Sequence, residues 1–180
     1  MRWLILILLF VGCKKIDENG FREYRIKKGN HRSTYQMRRD CDSILKYQVI
    51  FDNSAIYTTS DPSNQADVNK LFGCSDCGNG HMQNSIRVGW RWYNDSLELL
   101  WFKHELGQFS FDKIKSIELD QIIECQILLS DSEYQICIDG ECRTTSRICN
   151  GVYKHYRLFP YFGGDEAAPH DIKILLKEIR

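Results

Sequence analysis

Between residues 85 and 103, apolar and polar side chains alternate with period two on both sides of Asn94-Asp95, the pattern of two strands joined by a two-residue turn. Tyr93 then pairs with Ser96, and the register of every other residue follows. One face carries Ile86, Val88, Trp90 and Trp92 opposite Leu97, Leu99 and Trp101, an aromatic-rich core face. The other carries Arg87, Gly89, Arg91 and Tyr93 opposite Glu98, Leu100, Phe102 and His104, with Arg91 directly across from Glu98. A mixed face of this kind lines a groove or lies partly under loops. As an ordinary solvated face it would hold only a cross-strand ion pair contributing roughly 0.2–1 kcal/mol.

Period two also dominates elsewhere, predicting strands at 23–27, 46–51, 55–59, 121–129, 133–138, 142–147, 152–158 and 171–178. The one helical stretch is short, residues 64–72, with Asn64 as cap and Gly73 as stop. Strands spaced by turns exclude a parallel α/β sheet, so the expected fold is all-β: an antiparallel β-sandwich with one short helix. With 180 residues, one domain is expected. The 24 basic and 24 acidic residues leave no net charge to suggest a nucleic-acid partner.

At the start of the chain, Arg2 precedes the nine apolar residues 3–11, the layout of a secretory signal peptide and too short to span a bilayer, which takes ~20. The run ends Phe10-Val11-Gly12-Cys13, which resembles the lipobox of bacterial lipoproteins. That resemblance implies cleavage before Cys13 and its acylation (a palmitate-type anchor). The organisation expected is a signal peptide over 1–12, a lipidated basic stem over 13–22 and one sandwich domain over 23–180. Lys14, where inner-membrane retention usually shows Asp, favours an outer-membrane address in the cell envelope. Residues 14–39 hold nine basic against three acidic residues, a stretch suited to anionic headgroups at up to ~1 kcal/mol per residue.

Export permits disulfides, and seven cysteines remain once Cys13 is set aside. Cys137 and Cys142 flank Asp139-Gly140, a two-residue hairpin tip, and face each other where side chains approach most closely. They are the predicted disulfide. Cys125 alternates with Ile123, Ile127 and Leu129 and is the candidate buried thiol. Cys74, Cys77 and His81 have the spacing of part of a zinc site, with disulfides as the alternative. In the loop 159–171, Asp165, Glu166 and Asp171 offer oxygens of the kind calcium takes, so calcium is the one cofactor considered; the alternative is a loop that locks the sandwich edge.

Residues 84–95, including Trp90-Arg91-Trp92-Tyr93-Asn94-Asp95, and 160–172, beginning Pro160-Tyr161-Phe162-Gly163-Gly164-Asp165, resemble an exported lipoprotein group of Bacteroidota. Residues 134–141 are similar to a hairpin of concanavalin-like and laminin-G-like jelly rolls. The resemblance implies a jelly roll with residues 85–103 central in a curved sheet, and no reaction. Jelly rolls of this type include lectins, glucanases and polysaccharide lyases. The glucanases resemble one another in a Glu-x-Asp-x-Glu strand, whereas Glu118, Asp120 and Glu124 are spread over about 20 Å of strand, too far to flank one glycosidic bond. The alginate-lyase type resembles Gln-Ile-His, and Gln135-Ile136-Cys137 lacks the base.

No catalytic residue is therefore assigned. The function expected is a non-catalytic glycan-binding or surface-interaction lipoprotein, held to the membrane through its lipid anchor and taking a polysaccharide or surface glycan. Arg87, Arg91, Tyr93 and His104 on the open face, with His81 and Asn84 from the preceding loop, are the candidate ligand residues. A polysaccharide-degrading enzyme (lyase or glycoside hydrolase) with an unrecognised catalytic set is the second reading, and a structural envelope protein the third.

Overall fold

The computed structural model describes residues 16–34, 40–149 and 155–179. Two antiparallel sheets face each other. One has six strands: β1 (Arg22–Ile26), β2 (Ile44–Phe51), β7 (Ile123–Leu129), β8 (Glu133–Ile138), β9 (Glu141–Ser146) and β11 (Ile172–Glu178), in the order β1-β11-β2-β7-β8-β9. The other has five: β3 (Asn69–Ser75), β4 (Ser85–Tyr93), β5 (Ser96–Glu105), β6 (Gln108–Ile117) and the two-residue β10 (Arg157–Leu158), in the order β10-β3-β4-β5-β6. The fold is an all-β antiparallel sandwich of the jelly-roll kind.

The β4–β5 hairpin has the register its sequence dictates, with Tyr93 opposite Ser96 and Arg91 opposite Glu98. Asn94 and Asp95 both take positive φ, 50° and 54°, as the tightest hairpin turn requires and as these two residue types tolerate. Trp90 is wholly buried, its ring 5.2 Å from Phe51 and 5.9 Å from Tyr57. Ile86, Val88, Leu97 and Leu99 join it against Val49, Ile127, Ile136 and Ile174 of the facing sheet. Each such side chain contributes about 1.5–3 kcal/mol when removed from water, so the inner faces hold the sheets together.

The helix expected over 64–72 is not there. Asp61 caps a 3₁₀ turn, Pro62–Ala66, by accepting from the Ser63 N–H (2.9 Å), and the chain then enters β3. Pairing with β4 overrides the local helical spacing, and a bulge between Lys70 and Phe72 buries the extra residue, Leu71, in the core. Residues 55–59 run outside any strand, Ala55 closing a 3₁₀ turn and Tyr57 plugging the core. Strand β6 forms over a stretch to which the sequence pattern assigns no strand. A second bulge, between Leu99 and Leu100, changes its phase, so Ile114 and Ile117 point inward while Phe109 and Phe111 pair with His104 and Phe102 on the outer face.

Among the described residues three disulfides form: Cys137–Cys142 across the β8–β9 hairpin as predicted, Cys41–Cys74, and Cys77–Cys149. Cys125 is buried and unpaired. The bonding of Cys74 and Cys77 removes both thiolates from the candidate zinc set with His81, and that expectation is corrected: oxidised sulfur is not a zinc ligand. Strand β1 begins at Arg22, inside the stretch read as stem, and is preceded by a turn in which Asp17 accepts from the N–H groups of Asn19 and Phe21. The signal peptide and Cys13 lie outside the described residues.

Candidate functional site

The outer face of the five-stranded sheet, with residues 156–165 arching over β3, encloses a cleft of about 1100 Å³. The floor opens because β4 carries glycine at 89: a side chain there would meet Val68 at 2.5 Å. Val68 and Phe102 instead form an apolar bed, extended by the rings of Phe109 and Phe111, both nearly parallel to Phe102 at centroid separations of 5.9 and 6.4 Å. The far wall is fixed by backbone hydrogen bonds in both directions between Lys70 and Tyr161 (2.8 and 2.9 Å), and by the Gly163 N–H donating to Asn69 Oδ1. His31 stacks on Tyr161 at 5.2 Å.

Cations gather above this bed. Arg87 is 6% exposed, and its Nε has no hydrogen-bond partner. Burial lowers the pKa of Arg87 to about 10, which leaves it charged at neutral pH. Gly73, opposite Arg87 on β3, lets the two backbones close up: a Cβ there would lie 2.7 Å from Arg87 Cα. Lys70 donates to the Gly163 carbonyl (3.0 Å) and sits 4.6 Å from the Phe102 ring centre. Burial, then repulsion from Arg87, bring Lys70 to about 8, while Asp67 pulls the other way. His104 is driven to about 4 by burial, then by Arg87 and Lys70, and is neutral at physiological pH. Its Nδ1 is buried without a partner. His81 Nδ1 lies 3.0 Å from Tyr156 Oη, which also accepts from the His81 N–H (2.8 Å); burial, then Arg87 and Arg32, lower the His81 pKa. The carboxylates lining the cleft are Asp67 and Asp165.

Of the six candidate ligand residues, Arg87, His104 and His81 line this cleft, and Arg91, Tyr93 and Asn84 do not. Arg91 donates to Glu98 (2.8 Å) and to the Ala66 carbonyl (2.7 Å), with its guanidinium 4.6 Å from the Tyr93 ring centre. Glu98 also receives Lys113 (2.7 Å); burial would raise its carboxyl, and these two cations hold it below its ordinary value. Asn84, 3% exposed, accepts from the Leu106 N–H. Phe109 and Phe111 had a local signal, the alternation of residues 108–111. Tyr156 and Tyr161 had none, because a long-range contact carries them to the site.

The calcium candidates point apart. Glu166 accepts from the N–H groups of Ser60 and Asp61 and from Asn64 Nδ2, which lower its pKa; Asp171 accepts from the Lys28 N–H; Asp165 lines the cleft. Among the described residues, the group of metal-competent atoms that converges within 4.8 Å is Asp76, Cys77 and Cys149, and its sulfurs are bonded to each other. Glu124 pairs with Lys46 on the six-stranded sheet (2.9 Å).

No family model matches the chain, and no curated protein matches it. Solved structures do. Alginate lyase AlyC3 superposes with a TM-score of 0.62 at 11% identity, over 91% of this chain and 76% of that one. The endo-β-1,3-glucanase of Pyrococcus furiosus gives 0.57 at 8% identity, over 89% and 76%. A laminarinase catalytic domain from Thermotoga petrophila gives 0.56 at 11%, over the same shares. At these identities the likeness shows a shared fold.

Proposed function

We propose that the chain is a non-catalytic glycan-binding lipoprotein of the bacterial cell envelope, with the glycan lying in the cleft over β3 to β6. One observation carries the reading: a bed of parallel phenylalanine rings flanked by inward-facing cations and phenols, which is how protein surfaces hold sugars, by stacking on their C–H faces and fixing their hydroxyls. The solved structures that share this fold, named as a lyase and as glucanases, support a carbohydrate ligand. Phe109 is 64% exposed, so Phe109→Ala removes a stacking surface at little risk to the core. Retention on immobilised polysaccharide is expected to weaken by up to about tenfold, the worth of roughly 0.5–1.5 kcal/mol of ring contact, with the unfolding midpoint unchanged. Unchanged retention by this variant would move the ligand out of the cleft.

The second reading, a polysaccharide-degrading enzyme, is favoured by the Tyr156 phenol lying against the His81 imidazole in the same cleft. The same assay separates the two. A binder shows saturable retention with a constant pool of reducing ends, while an enzyme releases reducing or unsaturated ends with time.

Attachment to the outer membrane through acylated Cys13 is part of the proposal and rests on residues 2–14 of the sequence. Cys13→Ser is expected to abolish incorporation of labelled palmitate and to move the protein from the membrane to the soluble fraction. Incorporation that survives the substitution would end this part of the proposal.

A further inference from the structure

Among the described residues, no carboxylate pairs with Arg87. The groups that favour its charge are the phenols of Tyr156 and Tyr161, its Nε is unbonded, and it is only 6% exposed. A buried, unpaired guanidinium is expensive, and folded chains ordinarily avoid it. Its neighbours on the same face deepen the imbalance. Lys70 pairs with Gly89 and His104 with Ser85, so both stand diagonal to Arg87 on the flanking strands. Both lose proton affinity to the Arg87 charge. Asp67 offsets Lys70, and Asp165 is the other acid along the cleft. His104 Nδ1, also unbonded and buried, adds a second unsatisfied polar atom beside the guanidinium.

We infer that Arg87, with His104 beside it, is an anion subsite that receives the acidic group of a charged sugar, so that the glycan bound in the cleft is an acidic polysaccharide. The inference rests on the glycan reading above and narrows it to a substrate class. An oxyanion placed there accepts the fork of guanidinium N–H groups and, in one imidazole tautomer, the Nδ1–H of His104. The aromatic bed takes the sugar ring. Carboxylate and sulfate share this chemistry, and the test has an arm for each.

The experiment measures retention of the protein on alginate or polygalacturonate (carboxylate), dextran sulfate (sulfate) and laminarin (neutral), at low and high salt. Expected is retention on one or both acidic polymers, weakened by salt, and little on laminarin. Arg87→Met, which keeps the stem and removes the charge, is expected to lose roughly 10- to 100-fold in retention on the acidic polymer. Its thermal midpoint should hold or rise, because an uncompensated buried charge has gone; a merely structural arginine would lower it. Arg87→Lys should retain part of the binding. Galacturonate oligomers added to the wild-type protein should shift the His104 ring resonances, a readout independent of any variant. Retention on laminarin equal to that on the acidic polymers, or Arg87→Met retaining like wild type, overturns the acidic subsite and leaves the glycan reading standing. No retention on any polymer overturns both.

Discussion

Asp76→Asn is expected to cost about 3–5 kcal/mol of folding stability, the loss typical when one member of a buried ion pair is removed and the other left behind. With a urea dependence of about 1–3 kcal/mol per molar, that is a fall of roughly 2 M in the urea midpoint. The Asp76 carboxylate is fully buried and accepts from Arg147 Nε (2.7 Å) and Nη2 (3.1 Å), from Tyr134 Oη and from the Cys77 N–H (2.7 Å), with His155 Nδ1 at 3.1 Å. Burial alone would raise its carboxyl; Arg147, Tyr134 and the Cys77 N–H outweigh it and hold the pKa below the ordinary value. Burial and the adjacent carboxylate push the Tyr134 phenol up, so it stays a donor. Asparagine keeps the shape and loses the charge that faces the Arg147 guanidinium, which is only 5% exposed and also donates to the Ser130 carbonyl (2.6 Å). Asp76→Asn with Arg147→Met should recover part of the loss, because the buried positive charge is then removed together with the negative one. A group whose folded pKa is depressed contributes stability that is complete above its unfolded value, about 4, and is lost as pH falls through the folded one. The gap between wild type and Asp76→Asn should therefore be constant at neutral pH and close below about pH 4. A midpoint within 0.5 M of wild type at neutral pH would show that the network is not stabilising.

Arg147 and Arg87 divide structure from function. Both guanidiniums are buried. Arg147 meets a carboxylate in bidentate geometry and raises stability, whereas Arg87 meets phenols and an open cleft. Opposite signs are accordingly expected for the stability change when each is neutralised, and only Arg87 should alter ligand retention.

The sequence made the β4–β5 hairpin legible because everything that sets it lies within residues 85–103: the alternation, the turn pair and the resulting register are local. Cys137–Cys142 was legible for the same reason, five residues apart across one turn. The stretch 64–72 misleads because its spacing fits a helix in isolation, and long-range pairing, with β4 on one side and Tyr161 on the other, makes Lys70 a strand residue. At the site, His104 and Arg87 followed from strand parity. Which members of the face stay open did not, since that depends on Glu98 taking both Arg91 and Lys113, and on the 156–165 segment crossing β3. Neither bulge has a marker in its own residues, so the phase change that lets both Ile114 and Ile117 face inward has no local signal.

The pairings Cys41–Cys74 and Cys77–Cys149 were illegible as well, and they carry the second large expected effect. They join residues 33 and 72 apart, whereas Cys137–Cys142 joins residues 5 apart. Restricting the unfolded chain by loops of these lengths stabilises the fold by about 4 kcal/mol for each long bridge and about 2 for the short one in the loop-entropy account. The hairpin turn at Asp139-Gly140 already holds the short loop nearly closed, which reduces its share further. Cys41→Ala/Cys74→Ala and Cys77→Ala/Cys149→Ala should each lower the urea midpoint by more than a molar, and Cys137→Ala/Cys142→Ala by much less. Cys125 should not reshuffle these bonds, because complete burial pushes its thiol pKa up and leaves no thiolate to attack. The Cys77–Cys149 bridge and the Asp76–Arg147 pair fasten one junction, their carboxylate and sulfur atoms lying within 4.8 Å of one another. Each fastening is tight only while the other holds the end of β3 against residues 147–149, so cutting the second after the first removes a restraint that is already weakened. Combining Asp76→Asn with Cys77→Ala/Cys149→Ala should therefore cost less than the two separate losses together, by at least about 0.5 kcal/mol in a double-mutant cycle, while combining it with Cys137→Ala/Cys142→Ala should be additive. Additivity in the first cycle would mean that the bridge and the ion pair restrain different parts of the fold.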